Sequence, residues 1–448
     1  MQKIPFGPKL IDVKKLLLSG GSLLGISAIL SKALALLRDR LLVDIFGSGA
    51  EIDLVFAGFR IPDFFFFLLI GGTVSTLFLP RMASLDSEKK ETQFFSSFLW
   101  GVVILFGLFC GLGILFTEPL SLLFAGGFEE SLRQEMIPLS RLLFGSVFLL
   151  SVSSVFSAFQ QSHHRFFSIS IAPVLYTGGI CTGLFVFRNE FGLMTVGIAA
   201  LGGALLHLLA NGIGFFLHGG KIIWAWKKPS EAWQRFKKDF VYRVLNNSAF
   251  QINQSADVLI ASFLTAGAVG AFSIGSNLGF VLLSIVGFSV ANSAFPRLAK
   301  AKHNTEVQGA ILKTSLLWIL FFTIPPTIIG LFFARPILQL LFSLEGETLR
   351  MATTVFFWTI LALPATCMIP ILSRTLIAND DVLTPMKISA FSLFLATSSA
   401  ALLALVILPP ERAILGLALG NLIASSVSAL LFGWVLFRRY FYSPERHS

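Results

Sequence analysis

Glu130-Ser131-Leu132-Arg133 recurs in the second half of the chain as Glu347-Thr348-Leu349-Arg350, and Pro119 recurs as Pro336 at the same offset. The step Pro80-Arg81-Met82-Ala83 returns as Pro296-Arg297-Leu298-Ala299, one residue short of that offset. The chain around these blocks is apolar. Hydrophobic residues make up 55% of it and charged residues 13%, where a soluble domain carries roughly 25% charge. Mean hydropathy is +0.81. A long repeat in such a composition implies two facing bundles of membrane helices, the architecture of a transporter. The apolar runs are continuous and do not alternate, which favours helices over a membrane β-barrel. The 48 Phe suit lipid-facing surfaces.

Stretches of roughly 20 apolar residues are long enough to span a bilayer. They fall near 17–37, 52–79, 94–116, 136–159, 167–187 and 192–217, then 244–264, 268–294, 309–333, 351–376, 385–408 and 413–437. The expected fold is therefore all-α and polytopic, with about 12 transmembrane helices in two pseudo-symmetric six-helix lobes around a central, water-filled cavity. Residues 1–217 form the N-lobe, 218–243 a linker, 244–437 the C-lobe and 438–448 a tail. Pro62, Pro173, Pro325-Pro326 and Pro364 interrupt spans, which is tolerated where neighbouring helices or a wet cavity satisfy the freed carbonyls. The linker mixes Lys227, Lys228, Lys237 and Lys238 with Trp233, Phe236 and Phe240 at helical spacing, and reads as an amphipathic strap on the inner membrane surface. Lys and Arg concentrate in the segments that face inward when the N-terminus is inside, so both termini are expected in the cytoplasm. The net charge of +10 then reflects this retention of basic residues and not a nucleic-acid partner. The first apolar run lacks a small-residue cleavage site and reads as a span, not a removed signal peptide.

Cys110, Cys181 and Cys367 stand singly in apolar stretches, which supports neither a disulfide framework nor a zinc site. The chain has no HExxH, GxSxG or phosphate-cradling GxxxxGK[ST] run, and His207 stands alone within a span. The expectation is a non-enzyme without metal or cofactor.

Charges inside membrane spans are costly and usually face a cavity or one another. Here they crowd the first two spans: Lys32, Arg38, Asp39, Asp53 and Arg60 among them. Lys32 and Asp39, two helical turns apart, share a helix face. One reading is a set of ion pairs at a helix end, Arg38 or Arg40 with Asp53. The other is a cationic wall for an anionic substrate, phosphate above all, because Arg forks match phosphate oxygens. The seventh span offers Gln251, Asn253, Gln254 and Asp257, and the eighth Asn277. These read either as polar interhelical bonds or as a wet cation or polar site at Asp257, Asn253 and Asn277.

Ser31-Lys32, Leu37-Arg38-Asp39, Ile45-Phe46-Gly47, Asp53 and Phe59-Arg60-Ile61-Pro62-Asp63 resemble the opening of the MurJ (MviN) proteins. These are lipid II flippases of the multidrug/oligosaccharidyl-lipid/polysaccharide exporter superfamily. Gly72-Thr73-Val74-Ser75-Thr76-Leu77-Phe78-Leu79-Pro80, the segment from Pro119 to Phe128, the turn from Arg374 to Pro385 and Gly416-Leu417-Ala418-Leu419 extend the resemblance over nearly the whole chain. Family members usually carry Arg at the place of Lys32, basic residues where Phe64-Phe65-Phe66-Phe67 stands, and an Arg near Asn277. Many also have two further C-terminal helices. The resemblance implies a monomer in the bacterial inner membrane that flips lipid II to the outer leaflet by alternating access. Lys32, Arg38 and Arg60 would then attract the diphosphate and sugar headgroup, and Asp39 and Asp53 would orient the Arg side chains or form a gate. A flippase for another undecaprenyl-linked glycan, a multidrug exporter and a non-transporting scaffold are the alternatives. The basic N-lobe argues against export of cationic drugs.

Overall fold

A computed structural model describes residues 20–69, 73–188, 190–224, 251–302 and 304–441. The described residues are overwhelmingly helical. In chain order the first half holds α1 (Gly20–Phe46), α2 (Ala50–Leu69), α3 (Thr73–Met82), α4 (Glu88–Leu115), α5 (Thr117–Ala125), α6 (Glu130–Ser162), α7 (Phe167–Val186) and α8 (Met194–Leu217). The second half holds α9 (251–262), α10 (Ala268–Leu282), α11 (Phe288–Lys300), α12 (Thr305–Phe342), α13 (Gly346–Ala378), α14 (Leu383–Leu402) and α15 (Ala413–Phe441). A π-helical turn, Leu283–Gly287, joins α10 to α11, and another, Leu403–Ile407, closes α14. Among the described residues nine helices are long and apolar enough to cross a membrane. The first, second and seventh expected spans fall on α1, on α2 with α3, and on α9. The strap expected at 218–243 lies outside the described residues from 225 onward. Its first residues run along α4: Trp100 Nε1 donates to the Ile223 carbonyl at 3.3 Å, and the Ile223 amide donates to Ser96 Oγ at 3.0 Å.

The repeat read from the sequence is a repeat of backbone. Helices α6 and α13 are both 33 residues long, and α4 and α12 begin at Glu88 and Thr305, separated by the offset of the sequence repeat. The chain leaves helical geometry at Phe116 (φ −96°, ψ 16°) between α4 and α5, and at Phe333 (φ −117°, ψ 19°) inside α12, again at that offset. After each break comes a short helical piece carrying the repeated proline, Pro119 or Pro336. Both ESLR/ETLR blocks close the same ion pair, Arg133 with Glu130 and Arg350 with Glu347, one turn apart on the helix.

The small residues of the repeat explain how its last helix pair packs. A Cβ on Gly179 would come 2.8 Å from Gly203 Cα, and one on Gly183 2.6 Å from Ala199 Cβ. These residues are spaced by four on α7 and on α8, so the two backbones meet along a stripe without side chains. The equivalents of Ala199 and Gly203 on α15 are Gly416 and Gly420: a Cβ on Gly420 would lie 2.7 Å from the Ala400 nitrogen of α14, and one on Gly416 2.4 Å from that of Ala404 in the π-helical turn that follows.

The helices gather into two compact units. One comprises 20–38, Leu69–Leu115 and 141–224 of the described residues. Its core stacks Phe95 on Phe215 at 4.4 Å, with Phe156 and Phe159 edge-on. His207 sits in this unit and shares a 2.8 Å hydrogen bond through Nδ1 with Ser153 Oγ, which also accepts from Asn211 Nδ2 at 3.1 Å. The lone histidine is a member of a packed polar cluster. The second unit comprises Asp39–Leu68, Phe116–Ser140 and the described residues from 251. It combines segments of the first half with the whole described second half.

Candidate functional site

Asp53 and Arg60 lie two turns apart on one face of α2, and within the second unit both reach helices of the other half of the sequence. Helix α10 starts after Gly267, a residue in left-handed geometry (φ 86°) whose missing side chain cannot cap the helix. Asp53 supplies that cap from the opposite half of the chain. Its two carboxylate oxygens accept from the amides of Gly267 and Gly270, each at 2.7 Å. The carboxylate is buried, at 2% exposure, so these bonds meet little competition from water. Asp53 and Gly270 are separated by the offset of the repeat, so the contact joins equivalent positions of the two halves. A Cβ on Gly270 would lie 2.7 Å from Ile52 Cγ2, and one on Gly267 2.8 Å from the Ser48 carbonyl oxygen. Both glycines are needed for this approach. Nearby, Thr348 Oγ1 donates to the Ser48 carbonyl, and Arg40 Nη1 donates to that of Leu340 at 3.0 Å.

Arg60 is held by α9. Its Nε donates to Ser255 Oγ at 3.2 Å and Nη1 to Gln254 Oε1 at 3.1 Å. Nη2 donates to the carbonyl and the side-chain oxygen of Gln251, at 3.1 and 3.2 Å. The planar fork thus engages four oxygens on three residues, an arrangement a lysine cannot reproduce. Further along α9, Asp257 is close enough for its charge to act on Arg60. Asp257 Oδ2 accepts from Asn421 Nδ2 at 2.9 Å and from Asn253 Nδ2 at 3.3 Å, while Asn253 also donates to Asn421 Oδ1 at 2.9 Å. Asp257 Oδ1 and the single side-chain oxygen of Asn253 are buried with no hydrogen-bond partner among the described residues. This group opens on a cavity of about 350 Å³, lined also by Ser276, Thr366, Ser392 and Phe432.

The expected residues thus divide. Asp53, Arg60, Asp257 and Asn253 join the two halves or line the cavity in the second unit. Asp39, 2% exposed, takes a long 3.5 Å contact from Asn277 Nδ2. Lys32 and Arg38 are half-buried on α1 in the first unit, near enough for their like charges to interact. Among the described residues Asp53 has no ion-pair partner; its partners are backbone amides. Ser255 and Asn421 are additions to the expected set. A single Asn in the middle of an apolar span was the sequence signal for Asn421. No group of three or more His, Cys, Asp or Glu able to hold a metal occurs among the described residues.

The chain superposes on solved structures over most of its length. An inward-facing multidrug resistance MATE family transporter of the MOP superfamily aligns with a TM-score of 0.71 and 14% identity, covering 93% of this chain and all of that one (100%). The lipid II flippase MurJ in its inward closed conformation aligns with a TM-score of 0.77 and 21% identity, covering 92% of this chain and 87% of the other. These likenesses define the class: a polytopic α-helical membrane protein with the fold of the MOP transporters. Within that class the chain belongs to the lipid II flippase MurJ family, whose model matches residues 42–447. Similar curated proteins are the probable lipid II flippases MurJ of Buchnera aphidicola and Helicobacter pylori. The first is 26% identical, over 93% of this chain and 83% of its own. The second is 25% identical, over 89% and 91%.

Proposed function

We propose that this protein flips lipid II, a polyprenyl-diphosphate-linked peptidoglycan precursor, from the inner to the outer leaflet of the cytoplasmic membrane by alternating access. The observation that carries the mechanism is the clasp of α2 on the second half: Asp53 on the α10 N-terminus and Arg60 on α9. Such contacts are the two-state element that alternating access needs, since each can be made in one state and broken in the other. Asp53 is the gate. Arg60 gives up its α9 acceptors when the clasp opens and takes diphosphate oxygens in their place. Lys32 and Arg38 supply the remaining positive charge for the headgroup, and the lipid tail stays in the bilayer. Asp39 holds α10 two turns beyond the gate through Asn277. Both termini and the linker lie in the cytoplasm, and the protein works as a monomer without catalysing a covalent step.

A second reading concerns Asp257 with Asn253 and Asn421. The unpartnered buried oxygens of Asp257 and Asn253 fit a cation or a proton at this cavity, and a charge there would link transport to the membrane potential at about 2.3 kcal/mol per 100 mV. Flipping of a fluorescent polyprenyl-diphosphate sugar in proteoliposomes tests the main reading. Arg38→Ala should abolish it with insertion intact, and Arg38→Lys should recover part of it. Normal transport by Arg38→Ala would remove Arg38 from the substrate site.

A further inference from the structure

A second cleft, separate from the Asp257 cavity, opens between α11 and α12 within the second unit. Its volume is about 470 Å³, within the range of small-molecule and lipid sites. Val290, Ser293 and Arg297 come from α11 at spacings that share one helix face, and Thr314, Trp318 and Phe322 face them from α12. The lining is graded. Arg297 lies one turn from the end of α11, with Ser293 and Thr314 the next polar groups. Further along α12, Trp318 and Phe322 stack with ring centroids 5.7 Å apart and planes 18° apart. From Ala310 to Phe322 the α12 wall rises ~18 Å, close to the depth of one hydrocarbon leaflet, half of ~30 Å.

The charge at the mouth is available. Arg297 is exposed, and no carboxylate lies within ion-pairing distance among the described residues. Among the described residues lining the cleft Arg297 is the one basic side chain; nearby, Lys302 pairs with Asp380, and the Arg374 guanidinium donates to Asn292. Trp318 and Phe322 are each 51% exposed, so the deep wall offers aromatic surface and not a packed core. A site that is cationic at the leaflet boundary and aromatic below it matches one molecule type, with a phosphate above an acyl chain. Basic pockets between transmembrane helices on the cytoplasmic side bind anionic lipid headgroups for this reason.

We infer that the cleft between α11 and α12 holds an anionic glycerophospholipid of the surrounding membrane, its phosphate on Arg297 and one acyl chain along Trp318 and Phe322. The site is a resident-lipid site and does not depend on what the protein transports. Ser293 and Thr314 hydroxyls orient the headgroup beside the guanidinium.

Brominated lipids test this in vesicles containing the full-length protein. Quenching assigned to Trp318 is the difference between the natural protein and Trp318→Phe. Brominated phosphatidylglycerol should quench this component with an apparent affinity about fivefold above brominated phosphatidylcholine, the effect of roughly one basic residue at an anionic surface. Arg297→Gln should bring the two lipids to equality, and Arg297→Lys should keep most of the preference. Equal quenching by both lipids in the natural protein, or an undiminished preference in Arg297→Gln, overturns the site. If a polyprenyl diphosphate relieves quenching more effectively than unbrominated phosphatidylglycerol at the same mole fraction, the cleft serves that lipid and the assignment to phospholipid is wrong.

Discussion

Replacing Asp53 by Ala should release the N-terminus of α10 without unfolding the protein. The carboxylate makes two hydrogen bonds of 2.7 Å to amides that have no other cap. Hydrogen bonds to a charged group contribute about 1.5–3 kcal/mol each, or about 3–6 kcal/mol for the pair. Keeping a carboxylate at 2% exposure costs several kcal/mol of desolvation, which offsets part of this. A net loss of about 2 kcal/mol corresponds to roughly 30-fold in the opening equilibrium. Asp53→Asn keeps one acceptor oxygen but sets its NH2 against the second amide, so it should lose at least half, about fivefold or more. Hydrogen exchange of the Gly267 and Gly270 amides in nanodiscs, followed by mass spectrometry, reads this directly. Protection there should fall in that order, while α7 and α8 of the other unit stay unchanged. Unchanged protection in Asp53→Ala would refute the capping argument, and equal loosening of every helix would reduce it to general destabilisation.

Three further outcomes follow from the same geometry. In a thiol-reactive-dye melting assay Gly127→Ala should destabilise by at least about 1–3 kcal/mol, because its Cβ would sit 2.4 Å from the backbone nitrogen of Phe263; Gly111→Ala, with nothing within 4 Å, should be neutral. Lys32→Arg should keep or raise flipping and Lys32→Met should fold yet fail to flip; full activity in Lys32→Met would make the residue structural. In a background lacking the three native Cys, an impermeant thiol reagent should label position 130 from outside the cell and position 233 only after the inner face is exposed, and the reverse pattern would invert the proposed topology.

Much of the fold was legible because hydropathy and repetition are long-range signals. Expected spans ended at 116 and 333, where the backbone leaves helical geometry at Phe116 and Phe333. The short helices beyond those breaks were not foreseen, since the chain stays largely apolar through them and composition carries no mark of a change in direction. The site was legible in its residues and not in its pairings. An acid within a span suggests a basic partner, yet Asp53 meets two amides, and which helix start lacks its own cap cannot be read from the span that supplies one. Arg60 and the polar run Gln251 to Gln254 each stood out. Their pairing joins opposite halves of the chain, a separation over which a single sequence holds no contact information.

The most direct measurement expresses this protein in a bacterium depleted of its own lipid II flippase and counts lipid II at the outer face of the cytoplasmic membrane. Growth and outer-face lipid II should be restored by the natural chain and lost in Asp53→Ala and Arg38→Ala expressed at equal levels. Correct insertion of the natural chain with lipid II still confined to the inner leaflet would contradict the account.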